Sequence, residues 1–429
     1  MSAHAPAPTR PGAGLPRRLS AWYDQRRSGR TLVLGWLGTR VAMLVILALA
    51  ERFVVGDVFY YHRKIHALFS VGLPATLNEY PTPVTWLLWL PYGVTGGNRT
   101  GYLAAFVVFM LLLDGLFTVA LWRSSGRRHT WSCDFWLLFV FLIGPLSYLR
   151  FDILPAVLAG GALLAARRRP WVTGALTGLG AAVKLWPALL IGPFLAHRQT
   201  RRPVAWSFVA VGFGLAAISL VLGGWARLVS PLTWQSDRGL QVESTWATPV
   251  MLARALKPSG WTVDLSRYQA YEVFGPGVGP LLTLSTIATV LGLAAIAALV
   301  VRAHRHPAPS AVGVGVAVLA TVAIMTITNK TLSPQYLLWL GGAMAALLLL
   351  SSDDDPVDHR VVRRLGSQLL VLALLTHLVY PLFYDAFLGQ HGHAGIVVST
   401  LITAARNVFL VIFTARACRL AWRRLARPA

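Results

Sequence analysis

The sequence predicts an all-α, polytopic membrane protein, and three observations carry that reading. Of 429 residues, 55% are hydrophobic and only 13% are charged, a balance unsuited to a soluble domain of this length. Apolar stretches of about membrane-spanning length recur from Thr31 to Phe413. Basic residues fall in short runs between them, among these Arg127-Arg128, Arg167-Arg168-Arg169, Arg201-Arg202, Arg363-Arg364 and Arg423-Arg424, as the positive-inside rule expects. The net charge of +23 therefore does not mark a nucleic-acid partner, since no soluble module gathers it.

With the N-terminus in the cytoplasm and the arginine runs marking each return, the elements follow in order. Residues 1–30 form an inner tail that leads into a full-length span, not a cleavable signal. Thr31–Ala50 goes out. Glu51–Gly101 is an outer segment, in which residues 58–70 read as an interfacial amphipathic helix. Tyr80-Pro81-Thr82-Pro83 breaks the chain before an aromatic, membrane-dipping stretch around Trp86 and Trp89. Tyr102–Trp122 comes in.

Two short pairs come next, Phe135–Tyr148 with Ile153–Ala166 and Val172–Ala182 with Leu185–Ala196. Each member is near or below about fourteen residues, short for a full crossing. Their hinges, Arg150-Phe151-Asp152 and Lys184, would then sit at membrane depth beside a cavity. Tilted spans with snorkelling charges are the alternative.

Val204–Leu222 goes out to the longest outer loop, Gly223 to Pro276. Val278–Val301, Ala311–Thr328 and Leu332–Leu350 follow. Ser352–Arg364 is an inner loop whose acidic run, Asp353-Asp354-Asp355, reads as a solvated turn. Leu369–Tyr384 and Gly395–Ala415 complete about twelve crossings, with both termini inside. Cys133 and Cys418 fall near inner span ends, where a disulfide is not expected. Internal repeats of the kind built into many transporters are not apparent.

Three constellations can carry chemistry, all on the outer or cavity side. Asp57, directly after the first span, is costly in hydrocarbon but natural at a watery cavity. On a helix, Asp57, Tyr61 and Lys64 share one face, and Tyr61 and His62 stand close by as substrate-binding candidates. The long loop runs from Trp234 to Pro249. It alternates polar groups with aromatics and holds Arg238 and Glu243, a composition suited to a sugar but also to a plain surface loop. The third run, Thr328 to Tyr336, is a polar break with Pro334 between two apolar helices. Its Lys330, Gln335 and Tyr336 can bind a phosphate or a sugar. The four lysines, Lys64, Lys184, Lys257 and Lys330, all lie on this same side, and a lysine is a compact point charge for a phosphate. No metal-binding or nucleotide-binding motif is present. His391 and His393 read as a solvated loop pair.

These blocks resemble the actinobacterial polyprenyl-phosphate-sugar glycosyltransferases of the GT-C superfamily, glycosyltransferase family 87. The matching residues are Gly56-Asp57 with Tyr60-Tyr61, Tyr80-Pro81, Arg150-Phe151-Asp152-Ile153-Leu154-Pro155 and Ala182-Val183-Lys184-Leu185-Trp186-Pro187. Arg238-Gly239-Leu240-Gln241-Val242-Glu243-Ser244 and Ser333-Pro334-Gln335-Tyr336-Leu337-Leu338-Trp339 complete the set. Within the family the chain resembles the α-1,2-mannosyltransferases that extend phosphatidylinositol mannosides.

The resemblance implies a GT-C fold with residues 31–415 as the catalytic domain and 416–429 as a basic inner tail. It implies polyprenyl-phosphate-mannose as donor and a glycolipid acceptor. It places a multi-pass enzyme in the plasma membrane with its active site facing the periplasm. The family's catalytic acid maps onto Asp57. Many GT-C members carry a second, adjacent acid, but position 58 here is Val58. A single general base without a metal is therefore expected, and no cofactor. Lys330, Arg238 and Lys184 are the candidates for the donor phosphate. Two other readings stay open: a family member making lipomannan or lipoarabinomannan by mannosyl or arabinofuranosyl transfer, and a secondary transporter or lipid flippase.

Overall fold

The computed structural model describes residues 29–426, apart from 129, 307, 354 and 355. The expected inner tail, up to residue 28, lies outside the described residues, as does most of the acidic run at 353–355.

The fold is all-α and polytopic, with a single two-stranded sheet among the described residues. Seven helices are long and apolar enough to cross a membrane. They are α1 (Gly29–Leu49), α4 (Arg99–Ser124), α9 (Arg201–Ser236), α11 (Val278–His304), α12 (Ala311–Thr328), α14 (Pro356–His377, with its apolar span running on to Leu382) and α16 (Gly392–Arg424). The other five expected crossings coincide with shorter elements. These are α5 (Trp131–Ile143), α6 (Ile153–Ala165), α7 (Pro170–Val183), a 3-10 turn Trp186–Leu190 continued by α8 (Ile191–Phe194), and α13 (Tyr336–Leu350). Two helices in the first connection, α2 (Gly56–Val71) and α3 (Thr82–Val94), match the expected amphipathic and aromatic stretches. A single-turn α15 (Tyr384–Leu388) precedes α16.

Local chemistry sets the boundaries. Asn98 caps α4, its side chain accepting from Gly101 N at 2.7 Å, and Ser310 caps α12, accepting from Gly313 N at 3.0 Å. Pro170 opens α7 at a position where no amide donor is needed. Helix α5 stops at Gly144, whose backbone is left-handed at φ 82° and against which the His377 ring packs. A side chain there would overlap that ring, so the close approach of α14 requires glycine.

Three stretches differ from the sequence expectation. The long outer loop is largely ordered. Helix α9 bends at Gly224 (φ 76°) and continues to Ser236, then α10 (Thr248–Leu256) and a hairpin of β1 (Thr262–Leu265) and β2 (Tyr271–Phe274) follow. The strands are antiparallel with Thr262 opposite Phe274. The non-helical, positive-φ backbone of Gly224 separates two helical stretches and turns the axis between them. Residues 356–364, expected as loop, already belong to α14. Residues 416–424, expected as tail, continue α16, because Ala417, Ala421 and the following Leu425 recur at helical spacing and are buried.

Helices α12 and α13 are apolar all round and lie inside the bundle, whereas α1, α9 and α11 show apolar faces outward. One buried cluster ties α1, α4 and α5 together. Asp114 accepts from Arg40 Nε at 2.8 Å, Trp36 Nε1 at 2.8 Å, Trp136 Nε1 at 2.7 Å and Tyr148 OH at 2.8 Å. A buried carboxyl is tolerated in an apolar interior when its oxygens meet donors in this way.

Alternating helix directions gather the arginine runs at one end. There Arg302 Nε donates to the Trp422 carbonyl, Arg424 pairs with Asp358, and Arg363 lies 5.5 Å from the Trp131 ring. The short helices and hinges meet at the other end, where Glu51 and His377 are 2.9 Å apart. Cys133 and Cys418 form no disulfide.

Candidate active site

Asp57 lies in the first turn of α2 and pairs with the guanidinium of Arg150. Arg150 stands in the turn between the 3-10 segment Pro145–Tyr148 and α6. The two partners are unequal: the Arg150 side chain is buried, while 42% of the Asp57 side chain is open. A buried cation thus holds a carboxylate that still faces accessible space. Burial works most strongly against the Arg150 charge, but the Asp57 carboxylate together with Tyr380, Tyr61 and Tyr80 outweighs it and holds the guanidinium above its ordinary pKa. Its Nη1 also donates to Leu149 O at 3.2 Å, and its Nε is buried without a hydrogen-bond partner.

Two residues on, Asp152 Oδ1 accepts from Lys184 Nζ at 2.7 Å and from Trp339 Nε1 at 2.7 Å. The Lys184 ammonium lies over four rings, at 4.9 Å from Trp339, 5.1 Å from Phe151, 5.2 Å from Tyr336 and 5.7 Å from Tyr80. Ring faces are negative, so this cage and the carboxylate together compensate a cation taken from water. Tyr336 stacks on Trp339 at 4.1 Å, and Trp339 on Trp186 at 5.2 Å. The two short hairpins and the break before α13 therefore converge on one point, as membrane-depth hinges would.

Tyr61, on the Asp57 helix, is fully buried among Tyr80, Phe106 and Phe151. Burial pushes its phenol and that of Tyr80 well above the usual range, so both remain neutral donors. Tyr80 is positioned from behind by Arg227, whose Nη1 donates to the Tyr80 carbonyl at 2.9 Å. His62 turns to the next connection, with Nε2 2.8 Å from Gly97 O.

Lys330 and Arg238 form a neighbouring patch. Lys330 Nζ donates to Ser236 O at 2.8 Å, and Arg238 Nη1 stands 3.5 Å from Gln235 Oε1. Partial burial lowers the Lys330 pKa, with the Glu272 carboxylate pulling the other way. The break is stitched to the long loop where Gln241 N donates to Lys330 O at 3.2 Å and Gln241 Nε2 to Ser333 Oγ at 3.2 Å. Gln335 is half-buried directly before α13.

Glu243 is fully buried. Its Oε2 accepts from Arg406 Nη1 at 3.0 Å, and its carbonyl accepts from Arg406 Nη2 at 2.6 Å and Asn407 Nδ2 at 3.2 Å. Burial pushes the carboxyl up to about 7 against the pull of Arg406. This pair latches the long loop onto α16.

The structure thus brings Asp57, Tyr61, Lys184 and Tyr336 together. It sets Lys330 and Arg238 on the adjoining rim and engages Glu243 and His62 in contacts with the protein. Sequence reasoning did not assign Asp152 and Trp339 as the partners of Lys184, nor Tyr380, a further neighbour of Arg150. Arg406 was also missed, although a lone arginine inside an apolar span is itself a signal. Among the described residues, no group of three or more His, Cys, Asp or Glu side chains is placed to hold a metal.

A family model described as glycosyltransferase family 87 matches residues 79–325, more than half of the chain. The match takes in Tyr80, Arg150, Asp152, Lys184 and the loop from Arg238 to Glu272, while Asp57 lies before it and Lys330 after it. Comparison with curated proteins gives no match. The family assignment sets aside the transporter and flippase readings. The chain belongs to glycosyltransferase family 87 and is a multi-pass membrane glycosyltransferase.

Proposed function

We propose that this enzyme transfers mannose from polyprenyl-phosphate-mannose to a phosphatidylinositol mannoside, forming an α-1,2 linkage with inversion at the periplasmic face of the plasma membrane. The observation that carries the reading is the Asp57–Arg150 pair: one half-open carboxylate, held by a buried arginine, at the end of the bundle away from the arginine runs. By the positive-inside rule that end faces outward.

Asp57 takes the proton of the acceptor hydroxyl, whose oxygen forms the new bond to the anomeric carbon. The bond from that carbon to the phosphate oxygen breaks, and polyprenyl phosphate leaves with the electron pair. Displacement from one side turns a β-phosphosugar into an α-glycoside. A lipid phosphate leaves readily, so one base and nearby positive charge suffice without a metal. Lys330 and Arg238 on the rim, Lys184 in its ring cage, and Arg150 beside Asp57 offer that charge. Tyr336 and Tyr61 present aromatic and phenolic groups next to it, with Gln335 as a further substrate-side candidate, whereas Glu243 and His62 are taken up by Arg406 and the Gly97 carbonyl. The donor's apolar tail lies in lipid between helices.

The test is transfer by the purified enzyme from labelled polyprenyl-phosphate-mannose to mannosylated phosphatidylinositols, with product lipids identified. Asp57→Asn keeps size and removes basicity, and turnover falls by about 10²-fold or more with unchanged thermal unfolding. GDP-mannose alone gives no product. Near-normal turnover by the Asn variant, or efficient use of the soluble nucleotide sugar, overturns the reading. For orientation, a cysteine at Ser236, in a background without Cys133 and Cys418, is labelled by an impermeant thiol reagent in intact spheroplasts. Labelling only after lysis reverses the assigned orientation.

A further inference from the structure

The arginine-rich end of the bundle holds a cavity that the proposed reaction does not use. It measures about 500 Å³ and opens between α11, α12 and α16. Its walls are apolar: Ala295 and Ala298 of α11, Ile324 of α12 and the Trp422 ring of α16. Arg419 and Arg423, both exposed, stand at its rim.

The sequence explains the space. Helix α11 is thinned in one stretch by Ala294-Ala295 and Ala297-Ala298. The inner limit is near Ile324, which packs against Gly292. The mouth is near Arg302, whose guanidinium lies 4.3 Å from the centre of the Trp422 ring and whose Nε donates to the Trp422 carbonyl. On α11 the lining residues Ala295 to Leu299 cover about 6 Å of helix rise, about one turn. Arg424 is turned away, paired with Asp358, so the rim keeps the positive charge of Arg302, Arg419 and Arg423.

An apolar slot of about 500 Å³, a tryptophan at its edge and arginines at the mouth are complementary to one kind of molecule. We propose that this slot binds an acyl chain of an anionic phospholipid from the surrounding bilayer, with Arg419 and Arg423 holding its phosphate. Planar guanidinium groups suit a phosphate through paired hydrogen bonds. The site lies at the opposite end of the bundle from Asp57, so it is distinct from the donor and acceptor positions.

The test uses the full chain, delipidated in detergent, with thermal unfolding followed as phosphatidylglycerol or phosphatidylcholine is added. Phosphatidylglycerol is expected to raise the unfolding midpoint by about 3 °C or more beyond phosphatidylcholine. Arg419→Gln with Arg423→Gln abolishes that difference. Ala298→Phe fills the slot and abolishes the response to both lipids. Should Ala298→Phe fail to fold, native mass spectrometry of the arginine double variant decides, with loss of retained phosphatidylglycerol as the expected result. Equal stabilisation of the wild type by both lipids overturns the proposal. So does an undiminished phosphatidylglycerol effect in the variants, or the same effect from glycerophosphoglycerol, which has no acyl chain. Stronger stabilisation by undecaprenyl phosphate than by phosphatidylglycerol also overturns it, since the slot would then belong to the donor's tail.

Discussion

Lys184 Nζ lies 2.7 Å from Asp152 Oδ1, and this bond joins the end of α7 to the start of α6, two residues from the arginine that grips Asp57. Trp339 Nε1 donates to the same oxygen, which adds the start of α13 to the junction. The turn bearing Arg150 is therefore anchored by three helix ends, and a carboxylate at the site can be oriented without a loop having to order around it.

Arg150 should matter for rate more than for folding. Arg150→Gln leaves Asp57 without its partner, and turnover is expected to fall by about 10²-fold, the scale for loss of one electrostatic contact at a reacting centre. Arg150→Lys keeps the charge without the planar fork and should fall between. The measurement is turnover at saturating donor and acceptor, beside a thermal unfolding curve. Wild-type turnover by Arg150→Gln would show that the pair has no part in the reaction.

The Asp152–Lys184 bond should behave as a coupled pair. Asp152→Asn or Lys184→Met each leaves a charge without its partner in a mostly buried site, costing about 3 kcal/mol. The double variant removes both charges and should cost clearly less than the sum of the two. Reversible unfolding of all four proteins in one detergent checks this. Strict additivity would mean that the two side chains do not support each other.

Gly342 of α13 meets α6 backbone to backbone, and a methyl group there would overlap the Ala156 carbonyl oxygen. Alanine favours helix over glycine by about 1 kcal/mol, but overpacking typically costs about 1–3 kcal/mol, and a backbone carbonyl cannot swing aside. Gly342→Ala is expected to lower the unfolding midpoint and, by separating α6 from α13, to weaken the Trp339–Asp152 bond and turnover with it. A midpoint at or above that of the wild type would refute the close packing.

Lys330 gives a pH signature. Burial lowers its pKa below that of a free lysine. If its ammonium holds the donor phosphate, turnover is flat at neutral pH and falls as pH rises through the lowered pKa. Stability moves the other way. Between the folded pKa and the unfolded one, the unfolded chain binds more protons, so folding strengthens with pH in that window. The loss of activity is thus separable from unfolding. Lys330→Arg, which stays charged, should remove the alkaline fall, while Arg238→Ala should keep it. An unchanged alkaline limb in Lys330→Arg assigns the phosphate to another cation.

Much of this protein is legible in its sequence. The recurrence of apolar stretches and arginine runs points to an α-helical, multi-pass membrane bundle, and all seven long spans fall on expected crossings. The near-fourteen-residue segments foretell the short hairpins. Asp57 stands out because a lone acid beside a span needs a reason. What the tertiary structure alone decided is which charges meet. Residues 57 and 150, 152 and 184, and 243 and 406 are far apart in the chain, and no local periodicity encodes their pairing. The same holds for the ordered part of the long loop. Its latch through Glu243 depends on a buried partner, Arg406, supplied by α16. Hydrophobic pattern sets where the chain crosses. Pairing of buried charges, whose burial is tolerable only when each finds its opposite, sets how the crossings assemble into a site.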